Sequence, residues 1–425
     1  MKAPQIVVAN LDCEVDFARA DATLRRKLGF DAPRADDARL AVPANVVKTI
    51  SSAATLLRVF AASDDDVLQT PALVESTRVT NVPGLPRPRL SSVGLETLPA
   101  AARVLAWGET EDCASLRRRV AKDARSPSTS TSTSDKSVET DVGQTIAKQL
   151  WRTKAGSAES AARVHHRGFC VEVADAMRRA LPGARLVRGP DEVVAHLEAG
   201  GAATAPGEKW VLKAPYSAAG RLRVLGSGVA FGDGPERRQA DRLFELYGSL
   251  LFEPWMERLE DFGACAIISE AGVKTLGAHR LQVDRAGRFR GVTVRVGKTE
   301  APGLLEDESE ALDAVLREVA ERAQATDYRG PLSIDAWRYR DRGGEIKFHA
   351  LGEINARMTF GLVARALAER VHHPGTRNDG SLATLWVGSS RKSRANRANG
   401  SSGHVVRLLE AGEDDPTVAW LEMEG

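Results

Sequence analysis

Apolar and polar positions change period repeatedly along the chain, and the changes mark its elements. Ile6 to Ala9 is a short run rich in β-branched residues that ends at Asn10 and Asp12, as an opening strand meeting a loop would. Phe17 to Leu28 follows at helical spacing. Thr55 to Phe60, Val67–Leu68 and Val104 to Trp107 are apolar pieces between polar turns, so strands alternating with helices are expected in a small α/β domain over residues 1–125. Val82 to Pro88 is too proline-rich for regular structure and reads as a loop.

Helical spacing returns at Val142 to Leu150 and at Phe169 to Leu181, the latter stopped by Pro182-Gly183. Arg185 to Val187 reads as a strand. Pro190-Asp191-Glu192 opens another helix through Leu197. Lys209 to Ala214 and Leu222 to Leu225 read as strands, and a further strand ends at Phe252-Glu253. Ala264 to Glu270, Thr275 to Asp284 and Phe289 to Val296 are separated by short turns, which predicts an antiparallel sheet portion. Leu312, Val315, Leu316, Val319 and Ala323 mark one face of an amphipathic helix. Val405 to Leu409 and Val418 to Leu421 suit a terminal hairpin.

The stretch with the clearest chemistry is Leu332 to Gly361. Two strands joined at Asp341-Arg342-Gly343-Gly344 would bring Asp335, on the face of Ser333 and Trp337, close to Glu353 and Asn355. Those three supply oxygen ligands of the kind that hold magnesium beside phosphates. Arg357, just beyond, has the chemistry to stabilise charge on a transferring phosphoryl group. An ordinary hairpin with solvated carboxylates is the plain alternative. A helix continues the chain from Leu362 to Val371.

Composition narrows the class of protein. A chain of 425 residues is too long for one ordinary core, so two or three domains are expected. Its 59 basic and 57 acidic residues nearly cancel, which leaves no electrostatic case for a nucleic-acid binder; the one basic tract, Arg391 to Arg397, reads as a solvated loop. Cys13, Cys113, Cys170 and Cys265 lie far apart without metal-ligand spacing, as in a reduced cytoplasmic protein. No segment approaches a membrane span, and the first residues lack the pattern of a secretory signal. Residues 126–141 are Ser/Thr-rich, low in complexity and expected to form a flexible linker.

Three further stretches carry candidate contacts. Lys213 ends an apolar strand and precedes Pro215-Tyr216-Ser217-Ala218-Ala219-Gly220, a small-residue loop that suits the approach of phosphate oxygens, with a snorkelling lysine as the plain reading. In LLFEPWMERLE a strand ends at Phe252-Glu253, Pro254-Trp255-Met256 reads as an extended connector that suits a purine ring, and Glu260 would accept from ribose hydroxyls, with a domain-crossing connector bearing exposed acids as the plain reading. Arg280 in HRLQV either points into a cleft or pairs with a neighbouring acid. Two near-motifs fail: GVTVRVGKT, Gly291 to Thr299, has one residue too many between its glycines for a P-loop, and Gly226-Ser227-Gly228 lacks the third glycine of a dinucleotide fingerprint.

Lys213, the small-residue loop, EPWM with Glu260, Asp335, and Glu353-x-Asn355-x-Arg357 occur in the order of the ATP-grasp superfamily, and from about Arg163 to Ala368 the chain resembles it. The spacing from Glu253 to Glu260 is similar to that of D-alanine ligases. The resemblance implies an ATP-grasp fold of mixed α/β and α+β class, two α+β lobes enclosing ATP, preceded by a Rossmann-like pre-ATP-grasp α/β domain over residues 1–125. A small lobe with its helical linker would span 142–260, a large lobe with the metal site 261–380, and a C-terminal extension 381–425. The family usually has another nucleotide-binding lysine upstream, and Arg167 in HHRGFC stands nearest to that place.

On this resemblance Arg167, Lys213, Ser217, Glu253, Trp255, Met256 and Glu260 would bind ATP. Asp335, Glu353 and Asn355 would hold magnesium, or manganese as the alternative ion, while Arg357 and Arg280 would hold a carboxylate and its acyl phosphate. The implied activity is ATP-dependent joining of a carboxylate to an amine, with small molecules or a peptide as substrates, and a homodimer is common in the superfamily. An ATP-grasp kinase and a silent ATP-binding regulator are the alternatives.

Overall fold

Four short parallel strands open the chain in the order β3-β2-β1-β4, from β1 (Gln5–Val8), β2 (Val67–Gln69), β3 (Arg89–Ser91) and β4 (Arg103–Ala106). Strand β1 is apolar on both faces because both are covered: Val7 packs into the main core, while Ile6 and Val8 pack with Cys113 and Leu116 on the other side. Helices α1 (Cys13–Lys27), α2 (Ala44–Ala54) and α3 (Glu111–Asp123) supply the covers. The computed structural model describes residues 4–27, 42–94, 103–123, 145–199, 208–217, 222–229, 231–284, 287–371, 380–389 and 404–424, without the side chains of 24–27. The Ser/Thr-rich stretch, Arg391 to Arg397, Leu28, Val142 and the loop positions Ala218 to Gly220 lie outside the described residues.

Three helices, α4 (Ile146–Arg152), α5 (Ala158–His165) and α6 (Arg167–Ala176), lead from the first sheet to the second. Then come β5 (Arg185–Val187), α7 (Pro190–Glu198), β6 (Lys209–Lys213), β7 (Arg223–Ser227), α8 (Pro235–Tyr247) and β8 (Leu250–Pro254). Their strands form an antiparallel sheet in the order β5-β8-β6-β7. The third sheet is larger, built from β9 (Glu257–Ser269), β10 (Gly272–Val283), β11 (Phe289–Arg295), β12 (Gly330–Arg340), β13 (Ile346–Asn355), β14 (Leu382–Ser389), β15 (His404–Leu409) and β16 (Thr417–Met423). It is antiparallel throughout, in the order β13-β12-β9-β10-β11-β14-β16-β15. Helix α9 (Glu306–Ala325) buries Leu312, Val315, Leu316, Val319 and Ala323 against it, and α10 (Phe360–Val371) follows β13.

The mixed α/β and α+β class and the order of most elements agree with the sequence pattern. Thr55 to Phe60 differs: it is a 3-10 helix that continues from α2, since a six-residue apolar run has no period that separates strand from helix. Helix α6 stops five residues before Leu181. Arg178 adopts the left-handed region at φ 54, and the N–H groups of Arg179 and Arg178 close on the carbonyls of Ala174 and Asp175. That is a Schellman stop made with arginine in the position glycine usually takes. The terminal hairpin forms and is not isolated, because β14 joins it to β11 and so to the large sheet.

The connection from β15 to β16 also reaches α2 and the segment before β3. Asp415 is buried, accepts hydrogen bonds from the Ser52 hydroxyl and from the Thr417 N–H at 3.0 Å, and faces Arg78 Nη1 at 3.4 Å. Burial alone would raise its pKa, but Ser52, Thr417 and Arg78 hold it below the ordinary carboxylate value of 3.8. Asp415→Ala leaves Arg78 buried without its counter-charge and should lower stability by about 3 kcal/mol. A depressed pKa contributes stability above the ordinary value that is lost as pH falls through the folded one. Denaturant titrations at about pH 7 and about pH 3 should therefore show the gap between wild type and variant shrinking in acid.

Candidate active site

The pairing of β12 with β13 sets Asp335 directly opposite Glu353 and Ser333 opposite Asn355. Directly opposed side chains in an antiparallel pair share a face, so two carboxylates and an amide converge at one end of the hairpin. Asn355 Nδ2 donates to Asp335 Oδ2 at 3.3 Å. Burial, and then the Glu353 charge, push the Asp335 carboxyl up, to about 7. A cation would relieve like charges facing one another at this half-buried position, and the donors are hard oxygens, which suits magnesium. Among the described residues no three His, Cys, Asp or Glu side chains gather; the third oxygen here is the Asn355 amide.

Beyond Asp335 the ladder shifts register, so that Trp337 lies opposite His349. Gly352 makes room for that indole, since a Cβ there would fall inside the Trp337 ring. Trp337 packs with Leu181, Tyr339 and Met256, and the Arg258 guanidinium lies 3.7 Å from its ring centroid. Lys213 Nζ comes within 6.0 Å of the same centroid and is ion-paired with Glu253. Burial alone would raise the Glu253 pKa, but the Lys213 ammonium outweighs it and holds the carboxyl below its ordinary range.

Arg167 ties the second sheet to the carboxylates. Its Nη2 lies 2.9 Å from Glu353 Oε2, while Nη1 donates to the Ala214 carbonyl at 2.7 Å and to Ser217 Oγ at 3.0 Å. The candidates Arg167, Ser217, Glu353, Asp335 and Asn355 thus belong to one connected group, with Lys213, Glu253 and Met256 around Trp337 beside it. Trp255 is 42% exposed, stands near Arg223, which lies opposite Lys213 in the ladder, and gives its backbone N–H to the Lys209 carbonyl at 2.9 Å.

Glu260 and Arg280 are not brought to this group. Strand β9 begins at Glu257, so Glu260 is a strand residue whose face is fixed by register, not part of a free connector. Glu260 opposes Arg338, and Arg280 opposes Phe262, which opposes Ala336. All therefore lie on the face away from Asp335. There Glu260 pairs with Arg280 at 2.6 Å and with Arg338, which also bonds Glu308 of α9. On the cleft face the corresponding acid is Asp261, opposite Trp337 and 3.1 Å from Arg258 Nη1.

Arg357 is turned toward α1 and the end of β4. Its Nε lies 2.7 Å from Glu14 Oε1 in α1, and its guanidinium lies 5.6 Å from the Trp107 ring centroid. Next to it the Ala356 N–H donates to His165 Nδ1 at 3.2 Å. Burial, then Arg357 and Arg167, hold His165 well below its usual pKa, so it is neutral, with Nε2 4.0 Å from Glu14. Sequence reasoning missed Glu14, Trp107, His165, Arg258 and Asp261. The only signal for Glu14 was its place just after the carboxyl end of an opening strand, where open α/β sheets bind ligands.

Three sheets in this order, with the carboxylate hairpin at the edge of the largest and facing the second, invite comparison with solved structures. An N5-carboxyaminoimidazole synthetase from Staphylococcus aureus, complexed with ADP, aligns over 100% of this chain and 94% of its own, at 8% identity and a TM-score of 0.51. The fold is that of the ATP-grasp superfamily. A second ATP-grasp neighbour, N5-carboxyaminoimidazole ribonucleotide synthetase from Thermus thermophilus, aligns over 99% of this chain and 93% of its own, at 13% identity and a TM-score of 0.50. No protein-family model and no curated protein sequence matches the chain. Among the described residues no helix is long and apolar enough to cross a membrane.

The raised Asp335 pKa carries a pH dependence. The metal-free fold holds that proton more tightly than the unfolded chain, so the stability it contributes is full below 3.8 and lost as pH rises through about 7. Magnesium favours the ionised form and should raise the wild-type Tm more at about pH 8 than at about pH 6. In Asp335→Asn both the loss with pH and the magnesium shift should disappear; a magnesium shift retained in that variant would contradict the assignment.

Proposed function

We propose that the chain is an ATP-dependent ligase that joins a carboxylate to an amine through an acyl phosphate and releases ADP and phosphate. The observation that carries this reading is the facing pair Asp335 and Glu353 with Asn355, set beside Arg167 and Lys213 in an ATP-grasp fold. Both solved relatives are synthetases by name, and one holds ADP. The division into a pre-ATP-grasp domain, two lobes and a C-terminal extension belongs to the same proposal.

Asp335, Glu353 and Asn355 would hold magnesium, which supplies positive charge to the triphosphate when bound. Lys213 adds cationic charge from the second sheet and Arg167 from the start of α6, and Ser217 lies in the loop beside them. The purine would lie by Met256 and Trp337; with the Trp255 N–H already used, an edge donor falls to Met256. In the first step a substrate carboxylate oxygen attacks the γ-phosphorus and the bond to ADP breaks. In the second the amine nitrogen attacks the acyl carbon, phosphate leaves with the electron pair of the C–O bond, and the amine loses a proton to solvent. Arg357, paired with Glu14 just beyond the hairpin, would orient the carboxylate.

Turnover of ATP with magnesium against a panel of acids and amines tests the reading. ADP and free phosphate should appear only with an acid and amine together, and Glu353→Gln should lower the rate by about 100-fold or more. A phosphorylated product without free phosphate would instead favour an ATP-grasp kinase, and ATP bound without turnover across the whole panel would favour a regulator.

A further inference from the structure

A cavity of about 340 Å³ lies where the first domain, the leading helices and the start of β12 meet, next to Ala356 and Arg357. Its walls carry six cationic side chains, Arg103, Arg117, Arg152, Lys154, Arg329 and Arg357, against a single carboxylate, Glu109. Glu109 is spent on Arg117, and Glu14, outside the lining, takes Arg357. Among the described residues Lys154 has only Glu270, at 3.9 Å. Arg103 and Arg329 donate to backbone carbonyls, of Trp151 and of Gln324 and Tyr328, and those bonds leave their charges uncancelled. Among the described residues Arg152 has no carboxylate partner.

A second observation points the same way. Trp107, 3% exposed, belongs to the wall of this cavity, and its indole N–H has no acceptor among the described residues. Leaving a buried donor without an acceptor is unfavourable, and an incoming oxygen would relieve it. Cationic charge that exceeds its counter-charges in a concave, partly enclosed space also raises the local concentration of anions. Its size is at the lower end of small-molecule pockets.

We infer that this cavity is a second anion site, distinct from the nucleotide site, which holds a carboxylate or phosphate group of the substrate. As a statement about the substrate it rests on the ligase reading; as a statement about anion binding it stands alone. A substrate anchored there reaches the Asp335 and Glu353 end of the hairpin by way of Arg357, so the acid used would carry an anionic group besides the one that reacts.

Calorimetric titration of the full chain without nucleotide, using inorganic phosphate, succinate and ribose 5-phosphate as probes, tests the site. At least one probe should bind saturably, without displacement by ADP, and about tenfold more weakly to the rim variant Arg152→Gln/Lys154→Gln. Arg237→Gln/Arg238→Gln, which removes the same charge from α8, should bind as wild type does. Preference for the phosphorylated probes identifies a phosphate group, and preference for succinate a carboxylate. No saturable binding, equal binding by the rim variant, or displacement by ADP would overturn the proposal. MgADP binding measured on the same samples separates the two readings: its loss with anion binding intact counts against the ligase, and the reverse against this site alone.

Discussion

Two half-buried carboxylates facing one another across a β-ladder are the constraint on which the rest of this structure depends. Asp335 and Glu353 are locked together by backbone pairing, so neither can turn away without breaking the register of β12 and β13. Their repulsion is answered from several sides. Arg167 reaches Glu353 from the leading helices, Asn355 donates to Asp335, and the Arg357 charge acts on Asp335 from the strand end. A hairpin that served only to fill a sheet would place apolar or solvated side chains there.

The same electrostatic need explains how the three sheets are joined. Arg167 is held by the Ala214 carbonyl and Ser217 on one side and by Glu353 on the other, so a single guanidinium spans the second sheet's loop and the third sheet's hairpin. Arg357 does the corresponding work toward α1 and the first sheet through Glu14 and Trp107. Each of these arginines is well buried with a carboxylate partner, and removing one partner of such a pair costs far more than an exposed salt bridge contributes. The contacts that join the sheets are therefore also those that shape the site.

The hairpin was legible in the sequence because ligand spacing, turn residues and strand alternation all fall within about thirty residues. The helix face of Leu312 to Ala323 was legible for the same reason. Glu260 was misplaced because strand β9 starts at Glu257, and a shift in where a strand begins decides which face each later side chain takes. The partners of Arg357 could not be read locally: Glu14 stands more than three hundred residues earlier in the chain, and only the fold brings the two together. Likewise the arginine in the left-handed position that ends α6 breaks the usual glycine signal, which is why Pro182-Gly183 looked like the stop.

The most direct test of the central claim is calorimetric titration of ADP into the full chain with magnesium and again with the metal chelated, in wild type and in Asn355→Ala. If the hairpin holds a metal beside nucleotide phosphates, magnesium should tighten ADP binding in the wild type by about tenfold or more, and the variant should lose most of that gain. ADP affinity that is the same with and without magnesium in the wild type would contradict the assignment of Asp335, Glu353 and Asn355 as the metal ligands.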